Sequence, residues 1–223
     1  MKRFLLVTLI VLVAAFATYK FFYPSYTYRY RLTVNIETDG KLHSGSSVVE
    51  VVWHAHVLPE LVSFSPELRG QAALVDLGEH GVVVATLTAD DWGWHNSNAG
   101  WGALWLVPRA FGVRDSNEGL SKLVNLHGKR ELALDNLPRL LWLSNPRDPT
   151  TAKTISIDDI PSDFGSSAKF AGASVEITSD PLVANIREAL PWITSLEGKP
   201  AGNDRIYPNK LSIGRYMFIG DAS

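Results

Sequence analysis

From Tyr26 to Glu37 the sequence alternates between apolar and polar residues with a period of two. In an extended chain this pattern places the apolar side chains on one face and the polar side chains on the other. The stretch 46–57, SSVVEVVWHAHV, repeats the alternation, and Asp39-Gly40 between the two stretches is a turn signal. The sequence therefore predicts an antiparallel β-hairpin with a loop between about residues 38 and 45.

Further elements are predicted along the chain. Residues 71–88 have the pattern of a second hairpin connected through residues 78–81, and residues 137–144 have the pattern of a buried strand. Residues 180–190 predict the longest helix of the globular part, and residues 210–220 predict a last strand. We therefore expect an α+β fold, in which an N-terminal transmembrane helix is followed by a β-rich domain of antiparallel hairpins with one or two short helices.

Residues 4–23 form a long apolar stretch, FLLVTLIVLVAAFATYKFFY. A helix needs about 20 apolar residues to cross a bilayer, and the ammonium group of Lys20 can extend to the headgroups. Tyrosines at positions 19, 23, 26, 28 and 30 resemble the aromatic belt at a membrane surface. The sequence therefore predicts a membrane anchor over residues 1–24 and a globular domain over residues 25–223.

A second interpretation of the same segment stays open. A cleavable signal peptide has a basic start, an apolar core and a cleavage site between small residues, and Lys2-Arg3, Phe4–Ala14 and Ala15-Phe16-Ala17 fit these parts. Long domains cross a membrane largely regardless of their charge, which favours export of residues 25–223. We expect a single-pass membrane protein whose C-terminal domain is exported.

The composition argues against several classes of function. A formal net charge of −2 argues against a nucleic-acid-binding protein, because such proteins usually carry a basic excess. The chain has no cysteine, which excludes disulfides, thiolate metal ligands and cysteine nucleophiles. The expected partner at this point is the membrane, through residues 4–23.

His54 and His56 stand one residue apart in a predicted strand, so both imidazoles would point to the same side. Two such imidazoles can bind one zinc ion if a third ligand is added, and His95, Asp90 or Asp91 is the candidate. The opposite strand of the hairpin offers arginines, which repel a divalent cation and which pair naturally with Glu50. The favoured interpretation is therefore that His54 and His56 are two polar residues on a solvated or inter-element face of the sheet. No cofactor is expected on that interpretation, and zinc is the alternative.

Residues 90–105, DDWGWHNSNAGWGALW, contain four of the seven tryptophans of the chain. Exposed indole rings beside polar groups can anchor a partner protein, contact a membrane surface or stack on a sugar. The candidate residues for binding a partner or ligand are Trp92, Trp94, His95, Trp101 and Trp105. In the alternative interpretation, Trp101 and Trp105 are core residues of a short helix, because they are four positions apart.

Motifs of catalysis are weak throughout the sequence. No serine lies in a GxSxG motif, and the glycines form neither GxGxxG after a strand nor a phosphate-binding GxxxxGK[ST] loop. Asp158 and Asp159 are adjacent, which favours the start of a helical turn over a pair of catalytic carboxylates. We therefore predict no catalytic residues from motifs, although a triad can be assembled by the fold alone.

Three stretches resemble an uncharacterised family of short proteobacterial membrane-anchored proteins: YRYRLTVNIETDGKLHSGSSVVEV, ISIDDIPSDFGSSAKF and VEITSDPLVANIREALPWI. The resemblance covers about half of the chain and excludes its tryptophan-rich middle. It implies an N-terminal hydrophobic segment followed by a hairpin, in a bacterial envelope protein. Together with the predicted anchor, this implies a single-pass protein of the bacterial inner membrane whose C-terminal domain is periplasmic and whose partner is another envelope or membrane protein. It implies no activity and no catalytic residues.

Three hypotheses about function follow from these observations. The leading hypothesis is a membrane-anchored envelope protein that acts as a non-enzymatic interaction or assembly module. The second is a metal-dependent hydrolase that uses His54 and His56. The third is a protein that binds a small ligand or glycan through residues 90–105.

Overall fold

The computed structural model describes residues 2–22, 24–55, 64–88, 102–114, 116–199, 205–208 and 211–220. The fold is α+β, with antiparallel sheets and few helices, as the sequence predicts. The predictions that concern His56, Asp90, Asp91, Trp92, Trp94, His95 and Trp101 lie outside the described residues.

The largest sheet has six strands, and every neighbouring pair is antiparallel. In spatial order the strands are β12 (Ile219–Gly220), β3 (Phe64–Gln71), β2 (Lys41–Ala55), β1 (Ser25–Thr38), β9 (Lys169–Ile177) and β6 (Lys129–Glu131). A second sheet consists of β4 (Ala73–Asp76), β5 (Val82–Ala85), β7 (Leu140–Leu143) and β8 (Ala152–Ile155). A two-stranded sheet pairs β10 (Arg205–Ile206) with β11 (Ile213–Gly214).

The hairpin of β1 and β2 is confirmed, but its predicted loop is wrong. Only Asp39 and Gly40 form the turn, with φ angles of 54° and 71°. Both angles are positive, as the tight turn between two twisted antiparallel strands requires. Residues 41–45, predicted as loop, therefore belong to β2. They are mostly polar or small, so they lack the alternation of apolar and polar residues that predicts a strand.

The two larger sheets share one core and approach closely where β2 crosses β4. A Cβ atom on Gly45 would lie 2.1 Å from the carbonyl oxygen of Leu74, so this contact between two backbones requires glycine. A hydrogen bond of 2.9 Å between Nε2 of His80 and Oδ2 of Asp39 joins the turn between β1 and β2 to the connection between β4 and β5. The chain passes from one sheet to the other at Ala72, whose N–H donates to the Phe218 carbonyl at 2.8 Å.

The buried face of β1 consists of its even-numbered residues, as the alternation predicts. Tyr30 and Ile36 are fully buried there, together with Val51 of β2 and Leu141 of β7. Tyr28 and Tyr30 therefore belong to the core of the domain, and the prediction that they lie in an aromatic belt at a membrane surface is wrong. Their position follows from the strand, which starts at Ser25 and turns both rings toward the core.

Four short helices lie in the globular part that the structure describes: α2 (Leu106–Ala110), α3 (Asn117–Lys122), α4 (Ile160–Phe164) and α5 (Ile186–Ala189). The helical turns predicted around Asp159 are confirmed. The carboxylate of Asp159 accepts the N–H of Ser156 at 2.8 Å, and Gly165 follows the last residue of α4.

The predicted strand at residues 210–220 is wrong, because β11 and β12 are separated by a helical turn at Arg215–Met217.

The predicted helix over residues 180–190 is largely wrong, because only Ile186–Ala189 is α-helical. Asp180, at the start of this segment, forms an ion pair with Arg31. Gln71 of β3 binds the middle of the segment, at Asn185 and Ile186. Gln71 donates to Oδ1 of Asn185 at 2.6 Å and accepts the N–H of Ile186 at 3.0 Å. These tertiary contacts outweigh the local helix propensity.

Helix α1 (Lys2–Phe22) precedes the sheets. Its described side chains, those of residues 4–16 and 18, are all exposed. Thr8 and Thr18 donate their hydroxyls to the carbonyls of Phe4 and Ala14, four residues earlier. Within the described part of the chain, no helix is both long and apolar enough to cross a membrane.

Candidate functional site on the polar face of the six-stranded sheet

The second face of the six-stranded sheet is polar at its centre, although much of it is covered. Val48, Glu50 and Val52 of β2 are only 2%, 7% and 7% exposed on this face. The odd-numbered residues of β1 are half-buried beside them, apart from Ser25 and Thr27, which are exposed. Charged groups held in such a place lose much of their hydration and therefore need partners.

The charged groups meet this requirement by forming one row across β1, β2 and β3. Glu50 is at its centre: Oε2 accepts from Nε of Arg29 at 2.7 Å, and Oε1 lies 3.4 Å from Nη1 of Arg69. The pairing of arginine with Glu50 that the hairpin predicted is thus confirmed. Arg69 extends the row to Glu67, whose Oε1 lies 2.8 Å from Nη2.

His54 is at the end of this row, and both of its ring nitrogens have partners. Nε2 lies 3.0 Å from Oε2 of Glu67, and Nδ1 lies 3.1 Å from the hydroxyl oxygen of Ser25. The sheet register explains the arrangement, since Ser25 is directly opposite His54 on one side and Ser65 is directly opposite it on the other. The imidazole is 44% exposed, so the end of the row is open to solvent.

The partners of Glu67 determine its protonation state. Hydrogen bonds from His54 and then from Arg69 hold the pKa of the Glu67 carboxyl below its ordinary value of 4.5. The carboxylate is therefore ionised at neutral pH and accepts hydrogen bonds only. An Nε2–H group on His54 must then donate to Glu67, which leaves the lone pair of Nδ1 on neutral imidazole to accept the hydroxyl proton of Ser25.

A cavity of about 260 Å³ opens farther along β3. Arg69, Gln71, Leu182, Val183 and Arg187 contribute to its wall. The irregular segment that replaces the predicted helix thus forms one side of the cavity, and Gln71 fixes that side to the sheet. Arg69 and Arg187 are already paired with Glu67 and Glu197, at 2.8 Å and 2.7 Å, so the aliphatic side chains give the wall its character and suit an apolar ligand.

The zinc hypothesis for His54 and His56 stays a prediction. His56, His95, Asp90 and Asp91 are not among the described residues. Within the described part of the chain, no group of three His, Cys, Asp or Glu side chains could hold a metal ion. A zinc ion at His54 would have to displace either Ser25 or Glu67 from its ring nitrogen.

Trp105 is the one candidate of the tryptophan-rich stretch that the structure describes. It is half-buried against the core, and its ring centroid lies 5.2 Å from that of Trp53. The hydroxyl of Tyr30 donates to the carbonyl of Ala103 at 2.7 Å and fixes the turn before Trp105. This location favours the core interpretation of Trp105. The binding hypothesis for Trp92, Trp94, His95 and Trp101 stays a prediction.

The sequence pattern does not predict Ser25, Glu67 and Arg69 as neighbours of His54. Strand β3 shows no alternation that marks it as a strand, because it contains Pro66 and Gly70 among charged residues. The pairing of β3 with β2 brings Glu67 and Arg69 onto the face of His54 and Glu50. The one signal in the sequence is the spacing of Glu67 and Arg69: side chains two residues apart in a strand point to the same face of the sheet.

A scan of family models and searches of curated proteins and of solved structures found no match to the chain. The resemblance to membrane-anchored proteobacterial proteins therefore stays a prediction.

Proposed function

We propose that the protein is an interaction module that is attached to the bacterial inner membrane through residues 4–23 and binds an envelope or membrane protein with its periplasmic β-rich domain. The observation that carries the binding role is the cavity between β3 and the segment around Val183. The binding role itself requires no catalytic group.

The apolar character of residues 4–23 supports the attachment to a membrane. The described apolar side chains, which cover part of this stretch, are highly exposed: Phe4 is 77% exposed and Phe16 is 63% exposed. Exposed apolar surface of this extent is typical of a membrane or protein contact. The hydroxyls of Thr8 and Thr18 are satisfied within the helix, so they would add no unpaired donor in hydrocarbon.

The cavity supports the binding role. Its volume of about 260 Å³ is sufficient for one large side chain of a partner, and one buried anchor of this kind contributes most of the affinity in many interfaces. Val183 is 38% exposed at its rim. Leu182 and Val183 line the cavity, and its two arginines are already paired with glutamates of this chain, so we infer a partner segment that presents an apolar anchor residue.

Variants of the full chain test this role in gently solubilised membranes. Val183→Arg places a charge at the cavity rim and is expected to abolish co-purification of a stoichiometric partner. Val124→Arg is the matched control, because Val124 is 45% exposed and is not among the residues that line the cavity. Equal recovery of the partner with both variants, or a monomer without any partner, would contradict the proposal.

A further inference from the structure

Ser25, His54 and Glu67 form one continuous chain of hydrogen bonds at an exposed end of the six-stranded sheet. We propose that this cluster is a catalytic site for the hydrolysis of carboxylic esters, in which Ser25 is the nucleophile, His54 is the general base and Glu67 positions His54. The inference goes beyond the proposed binding role and does not depend on it.

The cluster has the connectivity that activates a serine. A hydroxyl becomes a nucleophile when a base accepts its proton and a third group orients that base through the opposite side of the ring. Here the hydroxyl of Ser25 lies 3.1 Å from Nδ1 of His54, and Nε2 of the same ring lies 3.0 Å from Glu67. Both distances are within the reach required for proton transfer and orientation.

The fold holds the three residues on adjacent strands. Ser25 of β1 is directly opposite His54 of β2, while Glu67 of β3 pairs with the residue two positions before His54, Val52. Side chains at directly opposite positions of an antiparallel pair point to the same face. Arg69 binds Oε1 of Glu67 with Nη2 at 2.8 Å and with Nε at 3.2 Å, which leaves Oε2 for His54.

The exposure of the cluster defines the class of substrate. Ser25 is exposed and His54 is 44% exposed, so an acyl group can approach the hydroxyl oxygen from solvent. An alkoxide leaves a tetrahedral intermediate more readily than an amine does. We therefore assign esters, rather than peptides, as substrates of this open site.

The reaction balances with the ester and water as the only reactants. Oγ of Ser25 forms a bond to the acyl carbon while its proton moves to Nδ1 of His54. The bond from the acyl carbon to the alcohol oxygen then breaks, and His54 returns the proton to that oxygen. Water then attacks the acyl carbon while one of its protons moves to Nδ1 of His54. The bond from the acyl carbon to Oγ breaks, His54 returns the proton to Oγ of Ser25, and the carboxylic acid leaves.

Labelling of the full chain with a fluorophosphonate probe, followed by peptide mapping, tests the proposal. We expect phosphonylation of Ser25 and hydrolysis of p-nitrophenyl butyrate, and we expect both to fall to background in Ser25→Ala and His54→Gln. Ser65→Ala is the matched control, because Ser65 is opposite His54 on the other side, and it is expected to retain both signals.

A positioning role for Glu67 predicts a specific kinetic signature. Glu67→Gln is expected to lower kcat by about 10²- to 10⁴-fold with little change in KM, and Glu67→Asp is expected to recover part of the loss. Absence of label on Ser25, while a serine protease is labelled under the same conditions, would overturn the assignment. Labelling of Ser25 that persists in His54→Gln would overturn it as well.

Discussion

Nε2 of His54 lies 3.0 Å from Oε2 of Glu67, so the end of β2 is tied to the first half of β3. Through Arg69 the same carboxylate is joined to Glu50, at the centre of the sheet face. The polar face is therefore a connected row of charges, and a change at one residue is expected to affect its neighbours.

The carboxyl of Glu67 is expected to make stability depend on acid pH. Its pKa in the folded protein is below the ordinary value of 4.5, so the unfolded chain takes up the proton first as the pH falls. The contribution is fully present above pH 4.5 and is lost as the pH falls through the folded pKa. Denaturant unfolding of wild type and Glu67→Gln should show a stability difference that is constant near neutral pH and shrinks in acid. A difference that does not vary with pH would contradict this account.

Removal of the Glu50 carboxylate is expected to destabilise the domain. Glu50 is 7% exposed and is the shared partner of Arg29 and Arg69. Glu50→Gln keeps the shape but removes the anion that pairs with Arg29 and one of the two carboxylates that pair with Arg69, at a cost of about 1–3 kcal/mol in the free energy of unfolding. Glu131→Gln is the control, because Glu131 is exposed at an edge strand and a loss within about 0.5 kcal/mol is expected there. Similar losses in the two variants would refute the central role of Glu50.

The close approach of β2 to β4 predicts that no side chain is tolerated at residue 45. Gly45→Ala would place a Cβ atom 2.1 Å from the carbonyl oxygen of Leu74, and backbone atoms on both strands would have to shift. We expect a loss of about 2–4 kcal/mol in the free energy of unfolding, which thermal or denaturant unfolding can measure. Ser44→Ala and Ser46→Ala, at exposed neighbouring positions, are expected to have little effect. A stable Gly45→Ala variant would show that the two strands are farther apart.

Zinc analysis tests the metal hypothesis for His54. Because both ring nitrogens already have protein partners, we expect the untagged full chain to contain far less than one zinc ion per molecule. Addition of zinc is also expected to leave the midpoint of thermal unfolding unchanged. One zinc ion per chain that is lost in His54→Ala would instead support the metal-dependent hydrolase and would require His54 to release Ser25 or Glu67.

The sequence predicted those parts of the fold whose patterns are local. The hairpin of β1 and β2 follows from its alternation, and the strand Leu140–Leu143 follows from its apolar run. The prediction of a helix at residues 180–190 was wrong because Arg31 and Gln71, which are distant in sequence, bind the segment in another conformation. The neighbours of His54 could not be predicted for the same reason: they depend on the pairing of β3, whose sequence carries no strand pattern.

Alkaline extraction of membranes tests the proposal that residues 4–23 attach the protein to a membrane. The full-length protein should remain in the membrane pellet after a carbonate wash, whereas the double variant Ile10→Arg and Leu12→Arg should move to the soluble fraction. Leu42→Arg is the matched control, since Leu42 and Ile10 are 59% and 58% exposed, and it should stay in the pellet. Recovery of the unmodified full-length protein in the soluble fraction would contradict the membrane anchor.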